Sequence, residues 1–305
     1  MAPSRDAPDS GLTWRMLATA VLVALVYAAA VLPAFLAGPV WGAAAAAAAV
    51  ALAVLSARAA DRVALYAMDA RLVTSSEEPE LHAVLDRLCM SSGLPKPRLA
   101  VSALDTPNAF AAGSGPGSAV VCVTGGLRSR LEPGELAAVL AHETAHVANR
   151  DVLVGAIATF PALCAGLFLG WWTGLLTGRD RYGAGRAAAF AGGIVLLPLG
   201  IAAAVLYAVG TLVGLSLSRH RELCADSTGA LLTGRPSDLV SALDKISDGL
   251  RDASRDDLRA LRPVSALCVV GARGGGAAGL LSSHPPLERR RERLSALSWR
   301  LASGG

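Results

Sequence analysis

Four long apolar stretches constrain the fold of this chain more than any other feature of its sequence. They cover residues 16–37, 40–57, 152–177 and 187–217, and each approaches the roughly 20 residues that a helix needs to cross a bilayer. Of the 305 residues, 53% are hydrophobic and only 17% are charged, proportions that exclude an ordinary soluble enzyme. The sequence therefore predicts a mainly α membrane protein with about four transmembrane helices and aqueous portions between them.

The first two stretches are separated only by Gly38 and Pro39, and they are expected to insert as a hairpin. The first stretch is long and uninterrupted, which favours a retained anchor over a cleaved signal peptide. Arg15 precedes the hairpin and Arg58 follows it, so the positive-inside rule places the N-terminus and the chain after the hairpin in the cytoplasm. Arg181 and its neighbours between the third and fourth stretches oppose this orientation, and the sequence leaves open whether those two stretches cross fully.

Net charge and residue usage limit the expected location and the expected partners of the chain. The net charge of +4 comes without a concentrated basic face, so a lipid bilayer is an expected partner and nucleic acid is not. Arginine far outnumbers lysine, and alanine and glycine are abundant, a usage that indicates a GC-rich genome. The expected location is a bacterial cell membrane. The five cysteines are scattered and form no C-x-x-C pair, which disfavours a disulfide framework and a thiolate zinc site.

Two hydrophilic segments, 58–151 and 218–305, are expected to form the aqueous part of the molecule. The first predicts a helix over 79–90, short strands over 98–102 and 118–123, and a helix after Pro133 that carries residues 142–146. The second predicts a helix that runs from the fourth apolar stretch to near Gly234, another helix within 236–250, and a flexible link over 271–279.

The polar stretch HETAH, residues 142–146, lies on one of these helices, just before the third apolar stretch. On a helix, His142 and His146 share one face, so both imidazoles point to one place. Two neutral imidazoles suit Zn²⁺, which in a catalytic site needs a third protein ligand and an open position for water. Glu143 is placed to take a proton from that water, which is the catalytic role of the glutamate in the H-E-x-x-H pattern. The alternative is a chance match on a solvated helix.

A third ligand is expected from another polar helix. Glu222 in "RELCAD" is the best candidate, and His220 on the same helix competes with it. Asp226, one turn after Glu222, is placed to accept the outer N–H of a ligand histidine and to fix its tautomer. Without a zinc site, Glu222 is interpreted instead as a surface carboxylate paired with neighbouring arginines.

The chain resembles the HtpX-type integral-membrane zinc metallopeptidases, which are relatives of the CAAX prenyl proteases. The resemblance rests on motifs in a shared order, namely "GLPKP" (93–97), "NAFAAG" (108–113), "VTGGL…LEPGELAAVLAHETAHVANRD" (123–151), "RELCAD" (221–226) and "HPPLERR" (284–290). With two apolar stretches before the site and two after it, the resemblance covers about residues 16–294. It implies a zincin-like α+β catalytic domain with a small β-sheet and one Zn²⁺ per chain.

The resemblance also implies a role for each matching residue. His142, His146 and Glu222 match the zinc ligands, Glu143 matches the general base, and Asp226 matches the residue that supports a ligand histidine.

Two further positions and one strand are implied to face the substrate. His284 and Arg290 match a pair that faces the reacting carbonyl and the substrate. Asn108, Ala109, Phe110 and Ala111 match a strand beside the cleft, where an extended peptide adds by backbone hydrogen bonds. Taken without the resemblance, His284 is a histidine of a surface turn, and Arg290 is one member of a solvated basic helix.

Together these features predict a membrane zinc endopeptidase that works from the cytoplasmic side on polypeptides, among them misfolded or damaged membrane proteins. The expected divisions are 1–57 for the N-terminal tail and hairpin, 58–151 for the first catalytic part, 152–217 for transmembrane helices three and four, and 218–305 for the second catalytic part. Two alternatives stay open: a signalling metalloprotease that cleaves one regulator, and a non-catalytic membrane scaffold. A CAAX-type prenyl protease is expected to have more than four spans.

Overall fold

The computed structural model describes residues 38–113, 115–177, 186–253 and 282–303, together with residues 21, 25 and 35. The chain forms two compact units, one within residues 1–53 and 155–217 and the other within 54–154 and 218–305. Most of the first apolar stretch, the link over 271–279 and the loop with Arg181 lie outside the described residues. The expectations for those segments, and the four-part division of the chain, stay predictions.

The described part of the chain is mostly helical and holds one small sheet. In chain order its elements are α1 (Pro39–Ala67), β1 (Ala70–Leu72), α2 (Pro79–Ser92), β2 (Arg98–Ser102), β3 (Ala109–Ala112), β4 (Val120–Thr124), α3 (Gly125–Arg128), α4 (Pro133–Ala148), α5 (Asp151–Thr177), α6 (Arg186–Val195), α7 (Leu197–Thr233), α8 (Pro236–Asp252) and α9 (Leu287–Ala302).

Among the described residues, α7 is the helix that is long and apolar enough to cross a membrane, with a mean hydropathy of 2.0. The apolar parts of α1 and α5, Pro39–Ala48 and Ala162–Thr177, are shorter. The fourth apolar stretch is divided between α6 and α7, and Pro198 lies in the first turn of α7, where its missing N–H does not disturb the helix. The expectation of four transmembrane helices is therefore not confirmed.

Small residues bring α5 and α7 close together in the first unit. A Cβ atom placed on Gly210 would lie 3.0 Å from the Cβ atom of Ala162, and one on Gly214 would lie 2.9 Å from the Cγ2 atom of Thr159. Glycines spaced four residues apart share one helix face and let backbones approach, which is a common way of packing apolar helices.

The sheet has the strand order β1-β2-β4-β3, with β2 and β4 parallel and the two outer pairs antiparallel. The strand expected over 98–102 is confirmed, and the one expected over 118–123 begins two residues later, at Val120. Every residue of β3 and β4 is buried. In the described part of the chain β3 pairs with β4 alone, so it is an edge strand, and each of its four residues lies opposite a residue of β4.

Helix α4 is the central element of the second unit, packed against α2, α8 and β3. It begins at Pro133, where Glu135 accepts a hydrogen bond from the Glu132 N–H at 2.8 Å. Glu135 also accepts hydrogen bonds from Ser241 at 2.6 Å and Lys245 at 2.8 Å, both on α8. Its apolar face joins the main core, which includes Leu85, Leu99, Val121, Val139, Leu140, Leu243 and Leu294. These contacts fix the start and the direction of α4, which carries the polar HETAH residues at its other end.

Candidate metal centre

The two histidines of the HETAH stretch lie on α4 with their ring nitrogens directed at one point. The Nε2 atoms of His142 and His146 are 3.1 Å apart, and the two rings are nearly perpendicular, at 87°. With a zinc–nitrogen distance of about 2.0–2.1 Å, two nitrogens on one edge of a tetrahedral site lie about 3.3 Å apart. The spacing of the two nitrogens therefore suits a shared metal ion.

Glu222 on α7 brings a carboxylate to the same point. Its Oε1 atom is 3.5 Å from His146 Nε2, and its Oε2 atom is 3.7 Å from His142 Nε2. One ligand atom from each of the three residues falls within 4.8 Å of the others. His220, the competing candidate, is not part of this group, and Glu222 is only 5% exposed, so its interpretation as a surface carboxylate is wrong.

The surroundings of this group fit a bound cation. Glu222 Oε2 and His284 Nδ1 are buried and lie 3.1 Å apart, and His284 Nε2 is buried without a hydrogen-bond partner among the described residues. Buried polar atoms are normally paired, so the Nε2 atom of His284 fits a site that takes up a further polar or charged group. Burial works to lower the pKa of His146, but its hydrogen bond with Asp151 and the nearby carboxylates of Glu222 and Glu143 raise it to about 9. The protein groups thus favour positive charge here.

Each candidate ligand histidine has a carboxylate on its far side. His142 Nδ1 lies 3.0 Å from Asp226 Oδ1, and His146 Nδ1 lies 2.6 Å from Asp151 Oδ2. A carboxylate on the outer nitrogen fixes the tautomer and leaves Nε2 as the lone-pair donor to a metal. Arg221 in turn donates a hydrogen bond to the backbone oxygen of Asp151 and ties the start of α5 to α7. Both imidazoles are therefore held in the orientation that a metal requires.

Arg290 lies behind the carboxylates and not on an exposed surface. It is 1% exposed, and its Nε and Nη2 atoms donate to the two carboxylate oxygens of Asp226 at 2.8 and 2.6 Å. Its Nη1 atom is 3.7 Å from Glu222 Oε2. The interpretation of Arg290 as part of a solvated helix is wrong. The contacts in the described structure give it a positioning function, while its expected contact with substrate stays a prediction.

Glu143 projects from α4 next to the two histidines and is 2% exposed. Burial raises the pKa of its carboxyl group, and this effect exceeds the opposing effects of His146 and His142. The backbone N–H of Ala111, on the outer side of edge strand β3, donates a hydrogen bond to the same carboxylate. Glu143 is therefore located between the candidate metal ligands and the free edge of the sheet.

The structure brings His284 and the 108–111 segment into the same region. His284 is 5% exposed, so it is not a surface histidine, and its Nδ1 atom lies 3.1 Å from Glu222 Oε2. The observed strand is Ala109–Ala112, one residue later than expected, and Asn108 immediately precedes it. The side chains of Asn108, Ala109, Phe110 and Ala111 are all buried. Any contact of this segment with a substrate is therefore made by its backbone.

Two residues of the site were missed by the sequence reasoning. Asp151 lies shortly after the end of α4, and only its contact with His146 identifies it as part of the site. A Cβ atom placed on Gly229 of α7 would lie 2.8 Å from the backbone nitrogen of His142. The absence of a side chain there lets α7 approach α4 closely enough for Glu222 to reach the histidines.

Two histidines one turn apart on a buried helix, a glutamate between them and a second glutamate from another helix, as the third ligand, define a metallopeptidase. Residues 75–298 match Peptidase family M48, and the chain belongs to this family. A protein from Streptomyces coelicolor named Protease HtpX homolog 1 is 43% identical over 245 residues, which cover 79% of this chain and 78% of that protein. A Protease HtpX homolog from Moorella thermoacetica is 40% identical over 92% of this chain and 93% of that protein. One from Pyrococcus furiosus is 41% identical over 78% of this chain and 80% of that protein. The expected family is thereby confirmed.

Proposed function

We propose that this metalloprotease is a zinc-dependent endopeptidase embedded in a membrane, with one Zn²⁺ per chain held by His142, His146 and Glu222. The convergence of these three side chains, with ligand atoms within 4.8 Å of one another, is the observation that carries the proposal. When bound, zinc supplies Lewis acidity, which lowers the pKa of water and polarises a peptide carbonyl. Asp226 and Asp151 hold the two histidines in the required tautomer.

The protein groups supply proton transfer and charge stabilisation. Glu143 takes a proton from the attacking water and returns it to the leaving amine. Its burial suits this exchange, because a raised pKa brings the carboxyl group closer to the operating pH. His284 is placed beside Glu222 to donate a hydrogen bond to the carbonyl oxygen as negative charge develops on it. Arg290 keeps Asp226 and Glu222 in place from behind.

The substrate is an extended polypeptide that pairs with the outer edge of β3. The side chains of β3 point into the protein interior, so the strand offers a substrate backbone hydrogen bonds and little side-chain selection. Such recognition suits unfolded chains of many sequences, and we assign the enzyme to the removal of misfolded or damaged membrane proteins. The apolar stretches and the arginines around the first hairpin support a multi-pass protein whose catalytic part faces the cytoplasm.

The test is cleavage of an unfolded protein such as casein by detergent-purified protein, first under chelation and then with Zn²⁺ restored. The wild type is expected to cut only with zinc. Glu143→Gln is expected to bind one equivalent of zinc and to lose activity by about 100- to 10,000-fold, the usual contribution of a general base.

The outcomes separate this function from its alternatives. Normal turnover by Glu143→Gln contradicts the assigned general base. A folded protein that binds no zinc and cuts nothing favours the scaffold. Protein fragments are then compared between cells that carry the wild type and cells that carry Glu143→Gln, which gives the number of substrates. A single substrate favours the signalling protease over quality control.

A further inference from the structure

A groove opens beside His146, between the end of β3 and the connection from α4 to α5. One side is formed by the small residues Ala111, Ala112 and Gly113, and the other by His146, Arg150 and Asp151. Because Ala111 and Ala112 of β3 form one side of the groove, a peptide paired with β3 would pass beside it. The residues on the opposite side, among them Arg150, then determine which polar or charged groups of the peptide are favoured.

Arg150 adopts a backbone conformation that favours glycine. Its φ is 54°, and Asp69 is the other non-glycine residue with positive φ in the described part of the chain. This conformation lies directly after the last turn of α4, where glycine is the usual residue because it has no Cβ atom to crowd the backbone. A long cationic residue in this conformation, beside an active site, is a candidate for a side chain with a function.

In the described part of the chain, no acidic residue pairs with Arg150. Its side chain is exposed, and it forms no ion pair with any acidic group that the structure describes. Asp151 is the acidic residue among those lining the groove, but it is 6% exposed and its Oδ2 atom is 2.6 Å from His146 Nδ1. Arg150 therefore presents a guanidinium group at the groove that is available to an acidic group of a substrate.

We propose that Arg150 makes this groove a subsite for a carboxylate, so that the enzyme prefers substrates with an acidic group near the cleaved bond. The proposal rests on the peptidase function assigned above. It adds a preference for an acidic group to backbone recognition that otherwise accepts many sequences. The guanidinium pairs with a carboxylate through two parallel hydrogen bonds. The carboxylate comes from an internal aspartate or glutamate side chain, or from the free C-terminus of a peptide.

The experiment uses the full-length, zinc-loaded enzyme in detergent and quenched fluorescent peptides that form matched pairs. One set places Glu or Gln at each position within three residues of the cleaved bond, and a second set ends in a free carboxylate or an amide. The wild type is expected to favour one Glu peptide over its Gln partner by about threefold to fivefold in kcat/KM, the size expected of a partly exposed ion pair. Preference in the second set instead assigns the subsite to a chain terminus.

Three variants locate the preference. Arg150→Gln is expected to bring the Glu-to-Gln ratio near one, Arg150→Glu to invert it, and Arg150→Lys to retain part of it. Because the pair is partly exposed, the wild-type ratio is also expected to fall as NaCl rises, which a purely structural arginine would not produce. Arg87→Gln, which removes an exposed arginine from α2, serves as the matched control and is expected to keep the wild-type ratio.

Two results overturn the proposal in different ways. Equal cleavage of both members of every pair by the wild type, at low and high salt, eliminates the acidic subsite and leaves the peptidase function intact. Failure of the zinc-loaded wild type to cut any peptide overturns the proposed function, and the role of Arg150 with it.

Discussion

The Nδ1 atom of His146 lies 2.6 Å from the Oδ2 atom of Asp151, the first residue of the helix that follows. This contact links the candidate metal centre to the first turn of α5. Loss of such an outer carboxylate typically weakens metal binding by about 10- to 100-fold.

Asp151→Asn is therefore expected to weaken zinc binding by about 10- to 100-fold, because the neutral amide no longer fixes the His146 tautomer. The measurement is competition with a chromophoric chelator at constant pH. Asp252→Asn, which changes an exposed acid at the end of α8, is the control and is expected to bind zinc as the wild type does. Unchanged affinity in Asp151→Asn would show that His146 keeps its orientation without this contact.

Gly229 sets how closely α7 approaches α4, and a methyl group there is expected to displace the third ligand. A Cβ atom would lie 2.8 Å from the backbone nitrogen of His142 and 3.0 Å from its Cα atom, so one of the two helices must move. Glu222, Asp226 and Gly229 share one face of α7, so this movement shifts the carboxylates relative to the histidines.

Gly229→Ala is expected to weaken zinc binding and to alter the visible absorption spectrum of the Co²⁺-substituted protein. Gly170→Ala is the matched control, because no described atom lies within 4 Å of the added Cβ and alanine favours a helix. A Gly229→Ala protein with the wild-type cobalt spectrum would contradict this close-contact role.

The parts of the fold that local patterns specify were predicted well. Helix α2, strand β2 and the start of α4 at Pro133 agree with the sequence because periodicity and Gly or Pro boundaries are local signals. Strand β1 was missed, since it has three residues and little buried surface. The interruption between α6 and α7 was missed because both sides are apolar, and hydropathy carries no information about a one-residue break in a helix.

The same distinction between local and long-range signals applies to the residues of the candidate site. The shared face of His142 and His146 follows from helix geometry alone. Glu222 lies far along the chain, and the residues alone ranked it above its rival His220 without excluding that rival, so the family resemblance supported a choice already made. Asp151 and Gly229 act through contacts between elements, which a residue pattern does not encode: Asp151 lies 2.6 Å from His146, and a Cβ atom on Gly229 would lie 2.8 Å from the backbone of His142.

The buried pair of Arg290 and Asp226 gives a prediction on stability. Arg290 is 1% exposed and binds both carboxylate oxygens of Asp226. Arg290→Met leaves the buried carboxylate of Asp226 with His142 but without its arginine partner, which is expected to lower the free energy of unfolding by about 3–5 kcal/mol. The measurement is chemical denaturation in detergent under chelation.

The double variant Arg290→Met with Asp226→Asn tests the cause. If the loss comes from the unpaired charge, the double variant is more stable than Arg290→Met alone. A double variant that is less stable by the sum of both single effects would assign the loss to packing.

Glu135 gives a prediction on the pH dependence of stability. Burial alone would raise its pKa, but hydrogen bonds from Lys245, Ser241 and the Glu132 N–H outweigh it and lower the pKa below the ordinary value of 4.5. A carboxyl group whose pKa is lower in the folded state stabilises the fold above its unfolded pKa, and this contribution is lost as the pH falls through the folded value.

Glu135→Gln is therefore expected to lower Tm at pH 7, and the difference from the wild type is expected to shrink as the pH falls below about 4.5. The physical reason is that acid protonates Glu135 and makes the wild type resemble the variant. Melting curves from pH 7 to 3, recorded by circular dichroism in detergent, provide the measurement. Glu80→Gln, at an exposed acid in the first turn of α2, should run parallel to the wild type over the whole range. A Tm difference for Glu135→Gln that stays constant with pH would assign its effect to the shape of the side chain and not to its charge.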